Sequence, residues 1–351
     1  MLDICVGLIL LVAGAELLVR GASRIAVAAG VPPLIIGLTV VAYGTSAPEL
    51  AVSTVATLNG QSAMALGNVI GSNIFNLLCI LGLSALIVPL SVSAQLVRMD
   101  VPIMIAASLT LMFISWDGSI GRIEGGLLVA SAIAYTILLV RMGRRDPTIQ
   151  AQRAQKRAKT APSRLVASIA FVLLGLVLLI YGSRRLVSGA VVIARDLGVS
   201  ELVIGLTVIA VGTSLPELAT STIAAIRRER DIAVGNLIGS NIFNILAILG
   251  AAAALGPQGV EVSSAARTFD IPVMVAVAIA CLPIFFTGCR ISRWEGLLFF
   301  FYYIAYVVYV LLNAAGHDAL DEFGMVMMLF VIPLTILGIV VSWLRERERD
   351  E

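Results

Sequence analysis

The chain has 351 residues, 59% of them hydrophobic and 13% charged, with a mean hydropathy of +1.02. Soluble globular domains carry roughly a quarter of charged residues, so this composition excludes most soluble enzymes and indicates a polytopic membrane protein. The formal net charge of +2, from 24 Lys and Arg against 22 Asp and Glu, gives no field for holding nucleic acid.

Apolar runs near 3–25, 33–58, 63–88, 101–116, 123–142, 165–187, 200–226, 232–255, 271–287, 296–313 and 325–344 predict eleven membrane spans, several at or beyond the ~18–20 residues that a bilayer requires. The first run lacks a basic leader and a small-residue cleavage site and reads as a retained span. Asp100 and Asp270 stand before Pro102 and Pro272 and read as helix-start caps. With the N-terminus outside, 19 of the 24 cations, including the cluster within 141–164, fall on one face. The positive-inside rule makes that face cytoplasmic, together with the C-terminus. The basic linker reads as a solvated loop with affinity for anionic membrane lipid. Cys5, Cys79, Cys281 and Cys289 form no CxxC pair, which indicates neither a disulfide framework nor a zinc site. His317, in a polar outer loop, is assigned no chemistry.

The chain contains an internal repeat. Residues 37–82 align without a gap on residues 205–250 at an offset of 168, with 29 of 46 positions identical. Asp100-Val-Pro returns as Asp270-Ile-Pro, and Arg122-Ile-Glu-Gly as Arg293-Trp-Glu-Gly. Each copy then holds five spans, and an odd number places the second copy upside down relative to the first, the arrangement of secondary transporters. The expected fold is an all-α integral membrane protein of two inverted five-helix repeats plus a C-terminal eleventh helix. Residues 1–142 form the first repeat, 143–163 the basic linker and 164–315 the second repeat; 316–351 hold an acidic outer loop, the accessory helix and a charged tail. Glu16 has no acidic counterpart in the second copy, where Arg184 stands, and reads as a helix-end or ion-pairing residue.

The repeated cores are polar in the middle of apolar spans. Residues 37–51 read GLTVVAYGTSAPELA and 67–76 read GNVIGSNIFN; their counterparts are GLTVIAVGTSLPELA at 205–219 and GNLIGSNIFN at 235–244. Ala42, Thr45, Ser46 and Glu49 recur at i, i+3, i+4 and i+7 and share one helical face, as do Asn68, Ser72 and Asn76 at i, i+4 and i+8. The second copy offers Ala210, Thr213, Ser214 and Glu217, and Asn236, Ser240 and Asn244. Pro48 and Pro216 are expected to break the helical ladder and free the carbonyls of Gly44 and Gly212. The Gly-Ser-Asn triplets at 71–73 and 239–241 read as turns that let neighbouring spans approach.

A carboxylate in a span costs several kcal/mol, so Glu49 and Glu217 call for a cation. The donor set of carboxylates, hydroxyls, amide oxygens and carbonyls, without His or Cys, favours hard Ca²⁺ or Na⁺ over Zn²⁺, Cu²⁺ or Ni²⁺. For Asn68 and Asn236, hydrogen bonding between helices and ligation stand equally open. Two Glu charges balance one Ca²⁺, so a loaded site crosses more readily than an empty one, the electrostatic logic of an exchanger.

At its GTSAPE and GTSLPE segments and the two GNxIGSNIFN segments, the chain resembles the cation/calcium antiporter superfamily, most closely its prokaryotic sodium/calcium exchangers. The resemblance implies a secondary active transporter, not an enzyme, in a prokaryotic cytoplasmic membrane. It implies exchange of several Na⁺ for one Ca²⁺ by alternating access, with no cofactor. Carried over by position, the ion ligands are Ala42, Thr45, Ser46, Glu49, Ser72, Asn76, Ala210, Thr213, Ser214, Glu217, Ser240 and Asn244. Several relatives have an aspartate where this chain has Asn244, and potassium-dependent ones have acids at that level in both copies. Neutral Asn76 and Asn244 therefore argue against potassium dependence and leave Ca²⁺/H⁺ exchange as the alternative. An intramembrane hydrolase using Ser46 or Ser214 lacks an obvious His or Lys base, and a receptor or scaffold leaves the mirrored carboxylates unexplained.

Overall fold

The structure, a computed structural model, describes residues 2–29, 31–145, 162–197, 210–286, 289–316 and 319–333. It is mostly helical. In chain order the helices are α1 (Leu2–Ala29), α2 (Pro33–Thr45), α3 (Ala47–Leu58), α4 (Ser62–Ile87), α5 (Leu96–Ile114) and α6 (Arg122–Arg145). They continue as α7 (Pro162–Asp196), α8 (Leu215–Ile226), α9 (Arg230–Leu255), α10 (Ala266–Phe285), α11 (Arg293–Ala315) and α12 (Ala319–Val326). Among the described residues eight helices are long and apolar enough to cross a membrane, nine if α2 and α3, bent by 46° at Ser46, count as one span. The protein is thus an integral membrane protein. α8 is shorter, and part of the predicted run at 200–226 lies outside the described residues, as do most of the eleventh run at 325–344, His317 and much of the basic linker.

α4 and α9 are the most enclosed spans and form the centre. Around them, α1 and α7 pack antiparallel along their length, with backbones in near contact. A Cβ added at Gly14 would lie 2.8 Å from the Gly175 carbonyl oxygen, and one at Gly175 would lie 2.7 Å from that of Gly14. Small residues that admit such approach are the usual means of association where lipid removes the hydrophobic drive between helices. Two antiparallel strand pairs join the sequence copies. β1 (Leu90–Ser91) pairs with β4 (Arg290–Ile291), and β2 (Ser119–Ile120) pairs with β3 (Val260–Glu261).

The repeated Arg-x-Glu-Gly motif has a local explanation. Glu124 Oε2 accepts the Gly121 amide at 2.7 Å, and Glu295 Oε2 accepts the Ser292 amide at 2.7 Å, so each glutamate caps the start of its helix. One turn in, Gly125 packs against the α9 backbone.

Asp100 and Asp270 are not caps. Both close a π-helical turn, Leu96–Asp100 and Ala266–Asp270, so the helix begins earlier than the proline rule implies and no end is left to cap. Buried Asp100 instead accepts the Tyr135 hydroxyl at 2.8 Å and Gln95 Nε2 at 3.3 Å. Asp270 accepts the Tyr306 hydroxyl at 3.1 Å. Glu16 does form an ion pair, with Arg20 and with Arg227 at the end of α8. All four cysteines are free.

Candidate functional site

The segments duplicated in the sequence meet in the interior. The helix breaks at Ser46 and Ser214, each followed by proline at the start of the next helix. Glu49 and Glu217 sit in the first turns of α3 and α8 and are both 1% exposed. At such a helix start an anion is favoured by the unsatisfied amides and the helix dipole.

The breaks do not leave the glycine carbonyls free. A backbone amide at the Ser46 cap takes the Gly44 carbonyl, and Ser183 Oγ donates to the Gly212 carbonyl at 2.5 Å. What they produce is a change of direction that carries the polar side chains inward. Nor are the Gly-Ser-Asn triplets turns: both lie within continuous helix, in α4 and α9. Close approach is nonetheless real at Gly239, where a Cβ would lie 2.7 Å from the Leu38 carbonyl oxygen.

The contacts come in matched pairs, each reappearing with the copies exchanged. Ser46 Oγ donates to Glu217 Oε1 at 2.9 Å and lies 3.0 Å from Ser240 Oγ. Ser214 Oγ donates to Glu49 Oε1 at 2.9 Å and lies 3.0 Å from Ser72 Oγ. Thr45 Oγ1 stands 3.1 Å from Asn236 Oδ1, and Thr213 Oγ1 stands 3.3 Å from Asn68 Oδ1. The serine of one copy therefore serves the glutamate of the other.

Asn68 and Asn236 are engaged through both amide atoms. Their Nδ2 groups donate to Ser53 Oγ and Ser221 Oγ at 2.9 Å, which brace α4 against α3 and α9 against α8. Asn76 and Asn244 lie in the first turns of two further π-helical stretches, Phe75–Ile80 and Asn244–Leu249, a distortion that recurs at functional sites. Asn76 Nδ2 donates to Asn241 Oδ1 at 2.9 Å, and Asn244 Nδ2 to Asn73 Oδ1 at 3.0 Å. Ser53 and Ser221 were not singled out in the sequence, and Asn73 and Asn241 were read there only as parts of turns. Their signal was present, since all four recur at the offset of 168.

Among the described residues six buried side-chain oxygens have no hydrogen-bond partner. Besides the hydroxyls of Ser84 and Thr220, they are four oxygens that cannot donate: Glu49 Oε2, Glu217 Oε2, Asn76 Oδ1 and Asn244 Oδ1. These four are acceptors, two belong to carboxyl groups, and they come from α3, α8, α4 and α9. An unpaired buried acceptor costs about 1–3 kcal/mol, more when charged, so a set of four calls for an electropositive partner. Ala42 is buried at the break, and Thr45, Ser72 and Ser240 are buried beside the acids. Ala210 opens the short turn Ala210–Gly212, and its side chain lies outside the described residues. One departure from the match is an aromatic side chain. Tyr43, whose counterpart is Val211, stacks on Phe243 with ring centroids 4.2 Å apart and bonds through its hydroxyl to Thr136. Among the described residues no group of three or more His, Cys, Asp or Glu side chains is placed to hold a metal ion.

The chain as a whole is similar to known proteins. Residues 2–141 and 167–312 match the family model described as sodium/calcium exchanger protein. A putative antiporter, CaxA, of Alkalimonas amylolytica is 40% identical over 307 residues, 86% of this chain and 96% of that protein. The sodium/calcium exchanger MaX1 of Methanosarcina acetivorans is 33% identical over 88% of this chain and 97% of its own length. A solved structure of the sodium-calcium exchanger NCX_Mj, soaked with Na⁺ and Sr²⁺, superposes with a TM-score of 0.76 at 31% identity, covering 87% of this chain and 96% of that one. The chain belongs to the sodium/calcium exchanger family of membrane antiporters.

Proposed function

We propose that the protein exchanges Na⁺ for Ca²⁺ across the membrane, binding the ions near the midplane between two inverted five-helix repeats. The observation that carries this reading is the set of four unpartnered acceptor oxygens, two of them carboxylate, in a buried cluster drawn from both sequence copies. Ca²⁺ takes ~6–8 oxygens at roughly 2.3–2.6 Å. The four acceptors, the remaining lone pairs of Glu49 Oε1 and Glu217 Oε1, and the hydroxyls of Thr45, Ser46, Ser72, Thr213, Ser214 and Ser240 provide such a shell, with the carbonyls of Ala42 and Ala210 on its edge. Two glutamates neutralise one divalent ion. The empty site leaves two carboxyl groups in a low-dielectric interior, where unpaired charge is strongly unfavourable. Loading therefore removes the barrier to changing access, which is the coupling an exchanger needs.

In this reading residues 1–142 and 164–315 are the repeats, joined by the basic linker 143–163, and 316–351 hold the acidic outer loop, an eleventh span and the tail. The N-terminus lies outside and the linker and C-terminus in the cytoplasm. The tight α1–α7 pair moves against the core of α2–α4, α8 and α9 to open the site to each side in turn.

The test is Ca²⁺ uptake into proteoliposomes under separately imposed gradients. Uptake driven by an outward Na⁺ gradient, and lost in Glu49→Gln and Glu217→Gln, is expected. Ca²⁺/H⁺ exchange is the second reading, in which Glu49 and Glu217, beside neutral Asn76 and Asn244 the only buried acids of the site among the described residues, carry the protons. Uptake that follows a pH gradient and ignores Na⁺ selects it. Uptake indifferent to both Gln substitutions refutes the site.

A further inference from the structure

The four asparagines where α4 meets α9 fall into two kinds. Asn76 and Asn244 each keep a buried Oδ1 without a hydrogen-bond partner. Asn73 and Asn241, both 1% exposed, use every polar atom of their side chains. Asn241 Nδ2 donates to the Asn73 backbone carbonyl at 3.3 Å and lies 3.7 Å from Met104 Sδ, while its Oδ1 accepts Asn76 Nδ2. Asn73 repeats this with the copies exchanged: Nδ2 to the Asn241 carbonyl at 3.3 Å and Met274 Sδ at 3.6 Å, Oδ1 accepting Asn244 Nδ2.

We propose that Asn73 and Asn241 are positioning residues, each turning the amide of an asparagine in the opposite copy so that its carbonyl, not its NH₂, faces the cation. This rests on the cation-site reading above. An amide group is nearly symmetric in shape, and its terminal torsion is broad and roughly two-fold, so only its partners decide which end points where. Here the order of decision is fixed. A backbone carbonyl is only an acceptor, so the Asn241 NH₂ must face Asn73 O. That leaves Asn241 Oδ1, also only an acceptor, toward Asn76. Asn76 must then present its NH₂ to Asn241 and its Oδ1 to the cluster. A flipped Asn76 sets two carbonyl oxygens against each other and aims two N–H donors at a cation. The arrangement also crosses over, since each copy orients a ligand of the other, so separating α4 from α9 disorders both amide ligands together.

The experiment uses the purified full-length protein and the Ca²⁺ dependence of its thermal unfolding midpoint, which reports an apparent Kd, for the wild type, Glu49→Gln, Asn241→Leu, Asn76→Ala and the Asn241→Leu/Asn76→Ala double variant. Outer partners of metal ligands typically contribute about 10–100-fold in affinity. Asn241→Leu is expected to weaken Ca²⁺ binding about tenfold on that scale, yet to change it by under about twofold once Asn76 is already alanine. A packing role predicts the opposite: equal effects in both backgrounds. Asn73→Leu against Asn244→Ala repeats the cycle in the mirrored position. If the leucine variants do not fold, Asn241→Ala and Asn73→Ala remove the acceptor with less bulk. Unchanged affinity, or additive losses, with wild-type binding that Glu49→Gln abolishes, overturns the positioning role alone. A wild type whose midpoint ignores Ca²⁺ overturns the cation site and this inference with it.

Discussion

Gly125 and Gly126 are neighbours on α6 and should respond to alanine in opposite directions. A Cβ at Gly125 would lie 2.5 Å from the Ala254 backbone nitrogen and 2.7 Å from the Gly250 carbonyl oxygen, both on α9. Ordinary contact begins at 3.4 Å, so α6 and α9 would have to part by about 0.9 Å, and the obstructing atoms are backbone that no rotamer change removes. Overpacking of this kind costs about 1–3 kcal/mol, with a backbone clash at the upper end. Alanine's better helix propensity returns about 1 kcal/mol, leaving a net loss of about 2 kcal/mol. At Gly126, which is exposed, no heavy atom among the described residues lies within 4 Å of the added Cβ. Only the propensity gain of about 1 kcal/mol remains there. The two variants should therefore differ by about 3 kcal/mol, or roughly 4 °C in Tm at an unfolding entropy of about 2.1 cal/mol/K per residue over the 351-residue chain. Thermal unfolding in detergent, without added cations, reads this directly. Gly296→Ala on α11, whose Cβ would meet the Gly82 carbonyl oxygen at 2.7 Å, should resemble Gly125→Ala. Equal Tm shifts for Gly125→Ala and Gly126→Ala would refute the claim that α6 and α9 are in backbone contact.

Two further perturbations test other parts of the structure. Asp100→Leu strands the buried Tyr135 hydroxyl and should lower stability by about 1–3 kcal/mol; Tyr135→Phe in the same background should recover part of that loss in chemical unfolding, and no recovery contradicts the pairing. Glu16→Gln removes the ion pairs to Arg20 and Arg227, both half-exposed, so it should cost no more than about 1 kcal/mol. That small effect should shrink further when Tm is compared at low and high salt.

The membrane class and the duplicated core are legible in the sequence because both are patterns of composition and identity. Glu49 and Glu217 stand out because a carboxylate inside an apolar run is expensive. The partners are another matter. Helical spacing puts Ser46 and Glu49 on one face, yet the hydrogen bond of Ser46 runs to Glu217, since which copy a side chain meets depends on how the copies cross. Asn73 and Asn241 read as turn residues because a Gly-Ser-Asn string has the composition of a turn, whereas both triplets lie within the helices α4 and α9. The proline rule places helix starts at Asp100 and Asp270, where π-helical turns continue the chain. No local propensity records such a distortion, nor the Tyr135 and Tyr306 hydroxyls that the two aspartates accept.

The central claim is that two acids, one from each sequence copy, act together on one divalent ion. Calorimetric titration of the purified protein with Ca²⁺ tests it most directly. One Ca²⁺ bound per chain is predicted, with binding abolished by Glu49→Gln alone and by Glu217→Gln alone. Two independent ions per chain, or full binding retained in either single variant, would contradict it.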